Sequence, residues 1–182
     1  VPTIHPHRSL DGGHATLCPP YDSRAVEDRV PTGKIYKSFQ YRNNLVWDTA
    51  RRGRTSAPGK PDIEIGSPPE FKGEAGVWAP EEMLVAALNA CMMLMFVSFA
   101  QSKKLAFVAY ESAAEGLLEN VDGKYRIIEV NVRPIVVLSS EADIAAARTI
   151  MTEVKANCFI SNSITADVKL DPQFRMASDV VT

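Results

Sequence analysis

The sequence predicts an α+β fold with the element order β-β-β-α-β-β-α-β. Three patterns carry that expectation. From Met83 to Ala100 the chain is apolar except at Asn89 and Ser98, which is long enough for one extended helix. Two long segments meet at Asp122-Gly123, a strong hairpin signal. After Ser140 the apolar residues recur at helical intervals rather than alternating. With 182 residues the chain suits one domain of ordinary size, large enough to bury a core without disulfides or a metal.

Residues 1–33 hold His-Pro-His, Gly-Gly and Pro19-Pro20 with no sustained apolar period, and read as an extended or disordered N-terminal arm. A domain is expected over residues 34–172, and residues 173–182 read as a C-terminal tail. From Lys34, Ile35, Lys37, Phe39 and Tyr41 alternate with Tyr36, Ser38, Gln40 and Arg42, which predicts a strand. Asn43-Asn44 suits a tight turn, so Leu45–Ala50 reads as the paired strand. Arg51-Arg52-Gly53-Arg54 then interrupts the strand pattern, Pro58-Gly59 turns again, and Asp62–Ile65 is a short third strand. Residues 67–77 read as a loop.

Glu81 to about Lys103 is the long helix, with Pro80 in its first turn and Glu81 and Glu82 at the positive end of its dipole. It is apolar almost all round, so neighbours are expected on most sides. Its length also reaches the lower limit for a membrane span, about 17–25 residues. The preceding carboxylates, Asn89 in mid-run and the alternating strands that follow favour a buried core helix instead. Leu105–Val121 and Lys124–Leu138 form the hairpin. In its second strand Ile128, Val130 and Val132 alternate with Glu129, Asn131 and Arg133, and Pro134 suggests an edge or a bulge. Ser140-x-x-Asp143 resembles a capping box, and Ile144, Ala147, Met151, Val154 and Cys158 make one helical stripe. Ile164, Ala166, Val168 and Leu170 alternate in a final strand.

Composition narrows the function. Hydrophobic residues make up 46% and charged residues 23%, with a net charge of −2. That balance leaves no bulk charge to drive nucleic-acid or anionic-membrane binding. Three cysteines do not make a disulfide scaffold. The three histidines all precede residue 15, which rules out a His-based triad in the main body. Residues 1–20 lack the apolar run of a secretory signal, and Asp22, Glu27 and Asp28 argue against a transit peptide, so a cytoplasmic location is expected. His5, His7, His14 and Cys18 are metal-ligand types, but their spacing matches no common zinc motif. Neither a bound metal nor a bound cofactor is expected.

Cys91 sits inside the apolar helix and Cys158 ends the stripe of the second helix. Two packed helices can bring Cα atoms within the roughly 4.4–6.8 Å that a disulfide needs. Two separately buried cysteines acting as small hydrophobes fit the same spacing. The three guanidiniums of Arg51–Arg54 could lower a thiol pKa, or could simply decorate an exposed basic turn. Glu81 and Glu82 read first as helix-end charges.

Ala79-Pro80-Glu81-Glu82-Met83-Leu84, followed by Ala86-Ala87 and Ala90-Cys91, resembles the first-cysteine helix of the OsmC/Ohr family of organic hydroperoxide reductases. Cys158-Phe159-Ile160-Ser161-Asn162-Ser163 resembles its second-cysteine motif, and Arg51–Arg54 its N-terminal hairpin loop. The resemblance covers residues 34–172. It departs from the family pattern at Phe159, where a Pro is usual, at Ala79, where an Asn is usual, and in the extra arm. The resemblance implies an intertwined homodimer with a long central helix, and a thiol peroxidase that reduces organic hydroperoxides. It implies Cys91 as the attacking thiol and Cys158 as the resolving thiol, with Arg51 and Glu81 activating Cys91. It further implies an external dithiol reductant, such as a lipoylated protein. A non-catalytic relative that binds an apolar ligand or senses oxidants is the alternative reading.

One expectation is purely geometric. Ten positions along a straight helix span about 15 Å, too far for the Glu81 carboxylate to touch the Cys91 thiol. Either residue 81 precedes the helix and folds back, or Glu81 serves the Cys91 of a second copy. The second arrangement is the one expected.

Overall fold

In the computed structural model, which describes residues 37–179, a three-stranded sheet comes first along the chain. The expected arm lies outside the described residues. The chain divides into two compact units, Val1–Tyr41 and Arg42–Thr182. Of the first unit only residues 37–41 are described, and they are exposed and carry no strand.

In the second unit Asn44–Thr49 (β1) pairs antiparallel with Arg52–Ser56 (β2), and β2 pairs with Ile63–Gly66 (β3). The expected hairpin across Asn43-Asn44 is therefore displaced, and the chain reverses at Ala50-Arg51, with Ala50 at φ 47°. Asn43 does not turn the chain. Its amide donates to Thr55 Oγ1 at 2.6 Å and to the Ser56 carbonyl at 3.0 Å, tying the start of β1 to the end of β2. The basic segment read as an interruption is mostly a strand. Its inward positions are Gly53 and Thr55, so the usual apolar alternation is missing. Gly53 is required there, because a Cβ would lie 2.7 Å from the Val46 carbonyl oxygen. Past β3 the loop returns alongside it: Gly66 N–H donates to the Trp78 carbonyl at 3.0 Å and Trp78 N–H to that of Glu64 at 3.3 Å.

Pro80–Ser102 forms α1. Pro80 costs nothing in the first turn, and the Ala79 N–H donates to the Glu82 carboxylate at 2.8 Å. Ala79 itself offers no side-chain cap, so this bond to Glu82 is the one half of a capping box that the sequence can make. Phe107–Val121 (β4) and Lys124–Leu138 (β5) follow as a long antiparallel hairpin. Asp122 at φ 53° and Gly123 at φ 78° give both central turn residues the left-handed backbone such a two-residue turn demands. Ser140 Oγ accepts from Ala142 N–H and caps the short turn Glu141–Asp143 ahead of Ile144–Asn157 (α2), in place of the expected capping-box bond to Asp143 N–H.

Two departures occur in β5. A bulge opposite Leu117 and Leu118 shifts the register, so Ile127 rather than Ile128 turns to the core. Pro134, expected at an edge or a bulge, is fully buried in the middle of the sheet. The explanation lies across from it. Asp167–Leu170 (β6) and Gln173–Met176 (β7) both run parallel to β5 in one continuous register, from Glu129↔Asp167 through Val132↔Leu170 to Ile135↔Gln173. The interrupted rungs place Pro134 level with Pro172, and neither can donate a ladder hydrogen bond. One strand was expected over this stretch and two short ones form. Residues 173–176, assigned to a tail, are β7.

The core lies between the helices and this sheet. Leu88, Met92, Phe96 and Ala100 recur every fourth residue on α1 and are fully buried. They meet Ala147, Ile150, Met151 and Val154 of α2 and Val130, Val132, Val136 and Leu138 of β5. The stripe expected on α2 is present, with Ile150 added. The long helix is long and apolar enough to cross a membrane by length and composition. It is covered along one stripe only, and Leu84, Met93 and Leu94 on other sides stay exposed, Leu94 at 62%. Cover on most sides, as expected from the sequence, is not supplied by a single chain.

Candidate active site

Cys91 follows Leu88 by one turn, so it flanks the buried stripe of α1 and is partly buried against the core. Cys158 stands just past α2, its N–H bonded to the Val154 carbonyl at 2.9 Å, and its side chain is fully buried. Burial pushes the Cys158 thiol up, and the Cys91 thiol, its side-chain hydrogen-bonding neighbour, pushes it further. Backbone N–H groups oppose that push, with Ser161 N lying 3.5 Å from the sulfur. Two cysteines far apart in the chain thus share one core cluster and interact, and both are free thiols.

Their unequal burial makes them chemically unequal. Cys158 stays protonated at pH values where an ordinary thiol has begun to ionise. Its folded-state pKa is raised, so the stability it contributes is full below the ordinary thiol value and fades as pH climbs past it. Iodoacetamide at pH 8.5 is expected to label Cys91 well before Cys158, with Cys158 labelling rising only at more alkaline pH. Peptide mapping by mass spectrometry reads both rates. Equal labelling would contradict the buried, protonated thiol.

Glu81 lies elsewhere. It sits inside α1, so the fold-back arrangement does not occur, and ten helical positions hold it about 15 Å along the axis from the Cys91 of its own chain. Its Oε2 is buried and has no hydrogen-bond partner. Glu81 lines a cavity of about 660 Å³ that neither cysteine lines. Trp78, Val85, Leu118 and Ile127 supply much of its apolar wall. Small residues on β4 make the room: Ala114 and Gly116 face α1, and a Cβ on Gly116 would come within 2.6 Å of Val85. Asn89 also lines it, receiving a hydrogen bond at 2.5 Å from the Ser112 hydroxyl. The sequence showed Asn89 only as a break in an apolar run, and no pattern marked Trp78. Their signal is spatial, since α1, β4 and the residue 76–78 loop meet only on folding.

The three arginines differ in how their charge is used. Arg52 bonds to Glu64 at 3.0 Å and Glu74 at 3.2 Å, and Arg54 to Asp48 at 3.0 Å. Arg51 donates to the neutral Phe71 carbonyl at 3.0 Å. Its charge is the one not matched to a carboxylate by these bonds. Arg51 does not line the Glu81 cavity. Within one chain Cys91 and Cys158 interact, Glu81 lies about 15 Å along α1 from Cys91, and Arg51 is bonded to the Phe71 carbonyl. Among the described residues no group of three or more His, Cys, Asp or Glu side chains is arranged to hold a metal. His5, His7, His14 and Cys18 lie outside the described residues.

Residues 73–173 match the OsmC-like protein family. Among solved structures the chain is similar to an OsmC-like protein of unknown function from Vibrio cholerae, with 25% identity and a TM-score of 0.69 over 74% of this chain and 99% of that one. It is also similar to an organic hydroperoxide resistance protein, OsmC, from Legionella pneumophila, at 18% identity and TM-score 0.62 over 77% and 99% of the two chains. A third similar structure is the organic hydroperoxide resistance protein OhrB of Bacillus subtilis, at 17% identity and TM-score 0.56 over 75% and 98%. The last two likenesses concern the fold. No curated protein matches the chain.

Proposed function

The chain belongs to the OsmC-like protein family, and from that premise we propose that it reduces organic hydroperoxides to alcohols through Cys91 and Cys158. The observation that carries this reading is the meeting of a partly exposed thiol with a buried one. The Cys91 thiolate attacks the distal oxygen of the hydroperoxide. The S–O bond forms as the O–O bond breaks, and the departing alkoxide takes a proton to leave as alcohol. Cys158 then condenses with the sulfenic acid, forming a disulfide and releasing water. An external dithiol, of the lipoyl class, exchanges with that disulfide, gives it two electrons and two protons to restore both thiols, and leaves as its own disulfide. The protein works in the cytoplasm and needs no bound cofactor.

Arg51 and Glu81 enter through a second copy of the chain. A homodimer would cover the exposed apolar side of α1, and Glu81, held away from its own Cys91, would serve the partner's Cys91. Arg51, whose bonded partner is a neutral carbonyl, keeps its charge for the thiolate and the developing alkoxide.

The resolving step has a direct test. Treat reduced protein with one equivalent of cumene hydroperoxide and map the cysteines by mass spectrometry. One Cys91–Cys158 disulfide per alcohol released is the expected result. Cys158→Ser is expected to release one equivalent of alcohol and then, under excess peroxide, to carry Cys91 to the sulfinic acid. Absence of both disulfide and sulfinic acid would reject the mechanism. The separation of cavity and thiols within one chain favours a second reading, a dimer that binds an apolar ligand without turnover. That reading predicts ligand binding with no hydroperoxide consumed.

A further inference from the structure

The loop before α1 brings a large aromatic side chain to the cavity that the mechanism itself does not use. Trp78 is fixed through its backbone on both sides, to Glu64 and to Gly66, while its side chain lines the cavity and stays 49% exposed. Across the same cavity stand Val85, Leu118 and Ile127, which are aliphatic. The Glu81 Oε2 is an acceptor without a donor. That oxygen is closed off from solvent, so it is the mostly apolar lining that recommends a ligand with an apolar body. Its volume of about 660 Å³ falls in the range of small-molecule sites. Among apolar bodies, a flat ring gains more from an indole than a saturated one does, because ring-on-ring packing adds to area burial.

We propose that Trp78 is the specificity-determining residue of this cavity and selects aryl-bearing hydroperoxides over saturated ones of the same size. The inference rests on the hydroperoxide reading for the identity of the substrate and on the cavity alone for the selectivity. Trp78 also stands one residue ahead of the helix N-cap, a position from which an apolar side chain can staple the first turn. A staple would change stability and leave ligand preference alone, so preference is the deciding readout.

The experiment uses the full chain with Trp47→Phe, which leaves Trp78 as the sole tryptophan. The probes are two unreactive product alcohols with the same skeleton, 2-phenyl-2-propanol and 2-cyclohexyl-2-propanol. The phenyl alcohol is expected to shift Trp78 fluorescence saturably and to bind more tightly than the cyclohexyl one. In calorimetry, Trp78→Leu is expected to weaken the phenyl alcohol about 2–10-fold and the cyclohexyl alcohol by less than about twofold, with Trp78→Phe restoring most of the preference. Equal losses for both alcohols, or a lowered Tm with the preference intact, would overturn the proposal. Cumene hydroperoxide consumption is measured in parallel. A Trp78-dependent preference without consumption sinks the peroxidase reading and keeps only the aryl selectivity of the cavity; consumption without the preference keeps the peroxidase and overturns the role of Trp78.

Discussion

Cys91→Ser is expected to abolish dithiol-dependent consumption of an organic hydroperoxide, lowering the rate by more than about 10³-fold, the scale on which removal of a nucleophile acts. A serine hydroxyl in the same place is neither ionised at neutral pH nor a competent attacker of a peroxide oxygen. The variant should fold as the parent does, because Cys91 is only partly buried and the swap of sulfur for oxygen keeps its shape. Cys158 cannot take over, since burial holds it protonated and out of reach. A steady-state assay with dihydrolipoamide and cumene hydroperoxide reads the outcome. Equal, slow rates for parent and variant would shift the assignment to a ligand-binding or sensing protein.

The second large effect concerns the helix that carries Cys91. Phe96→Ala is expected to destabilise the fold by about 3–5 kcal/mol, seen as a lower urea midpoint at unchanged slope. Phe96 is fully buried, with its ring 5.2 Å edge-on from Phe107 and 5.3 Å from Tyr110. Truncation removes both ring contacts and leaves a void that stiff neighbours cannot close. Leu94, two residues away, is the control. At 62% exposure in one chain its truncation should cost no more than about 0.5 kcal/mol in a monomer, and more where a second copy covers that side of α1. A cost for Leu94 close to that for Phe96 would place another surface over that side of α1.

What could be read from the sequence was the long-period structure. The apolar run of α1, the Asp122-Gly123 hairpin and the stripe of α2 each repeat a simple interval over many residues, so tertiary context had little to override. The N-terminal strands were misplaced because their inward positions are Gly53 and Thr55, which present no apolar alternation. The break at Asp171-Pro172 hid β7, because a proline reads as a stop until its partner strand is seen to carry Pro134 at the same rung. Ile128 was preferred over Ile127 because a bulge leaves no mark in a single strand.

The candidate site was legible to the same extent. Cys91 and Cys158 stood out because their neighbours repeat a family pattern, and the fold brings them together. The cavity did not stand out. Ala114 and Gly116 are small residues like any others until α1 is laid across them. The question of how far Glu81 can reach was legible in the sequence, and its place inside α1 answers half of it by removing the fold-back arrangement.

The paired prolines of β5 and the C-terminal strand have a consequence for how the molecule comes apart. With a rung missing from the ladder, the last four-residue strand is fastened by its own short set of bonds, by Phe174 and Met176 against the core, and by the Arg148 guanidinium 5.2 Å over the Phe174 ring. It can peel away like the perforated end of a strip, and the segment nearer Cys158 keeps its grip on the sheet.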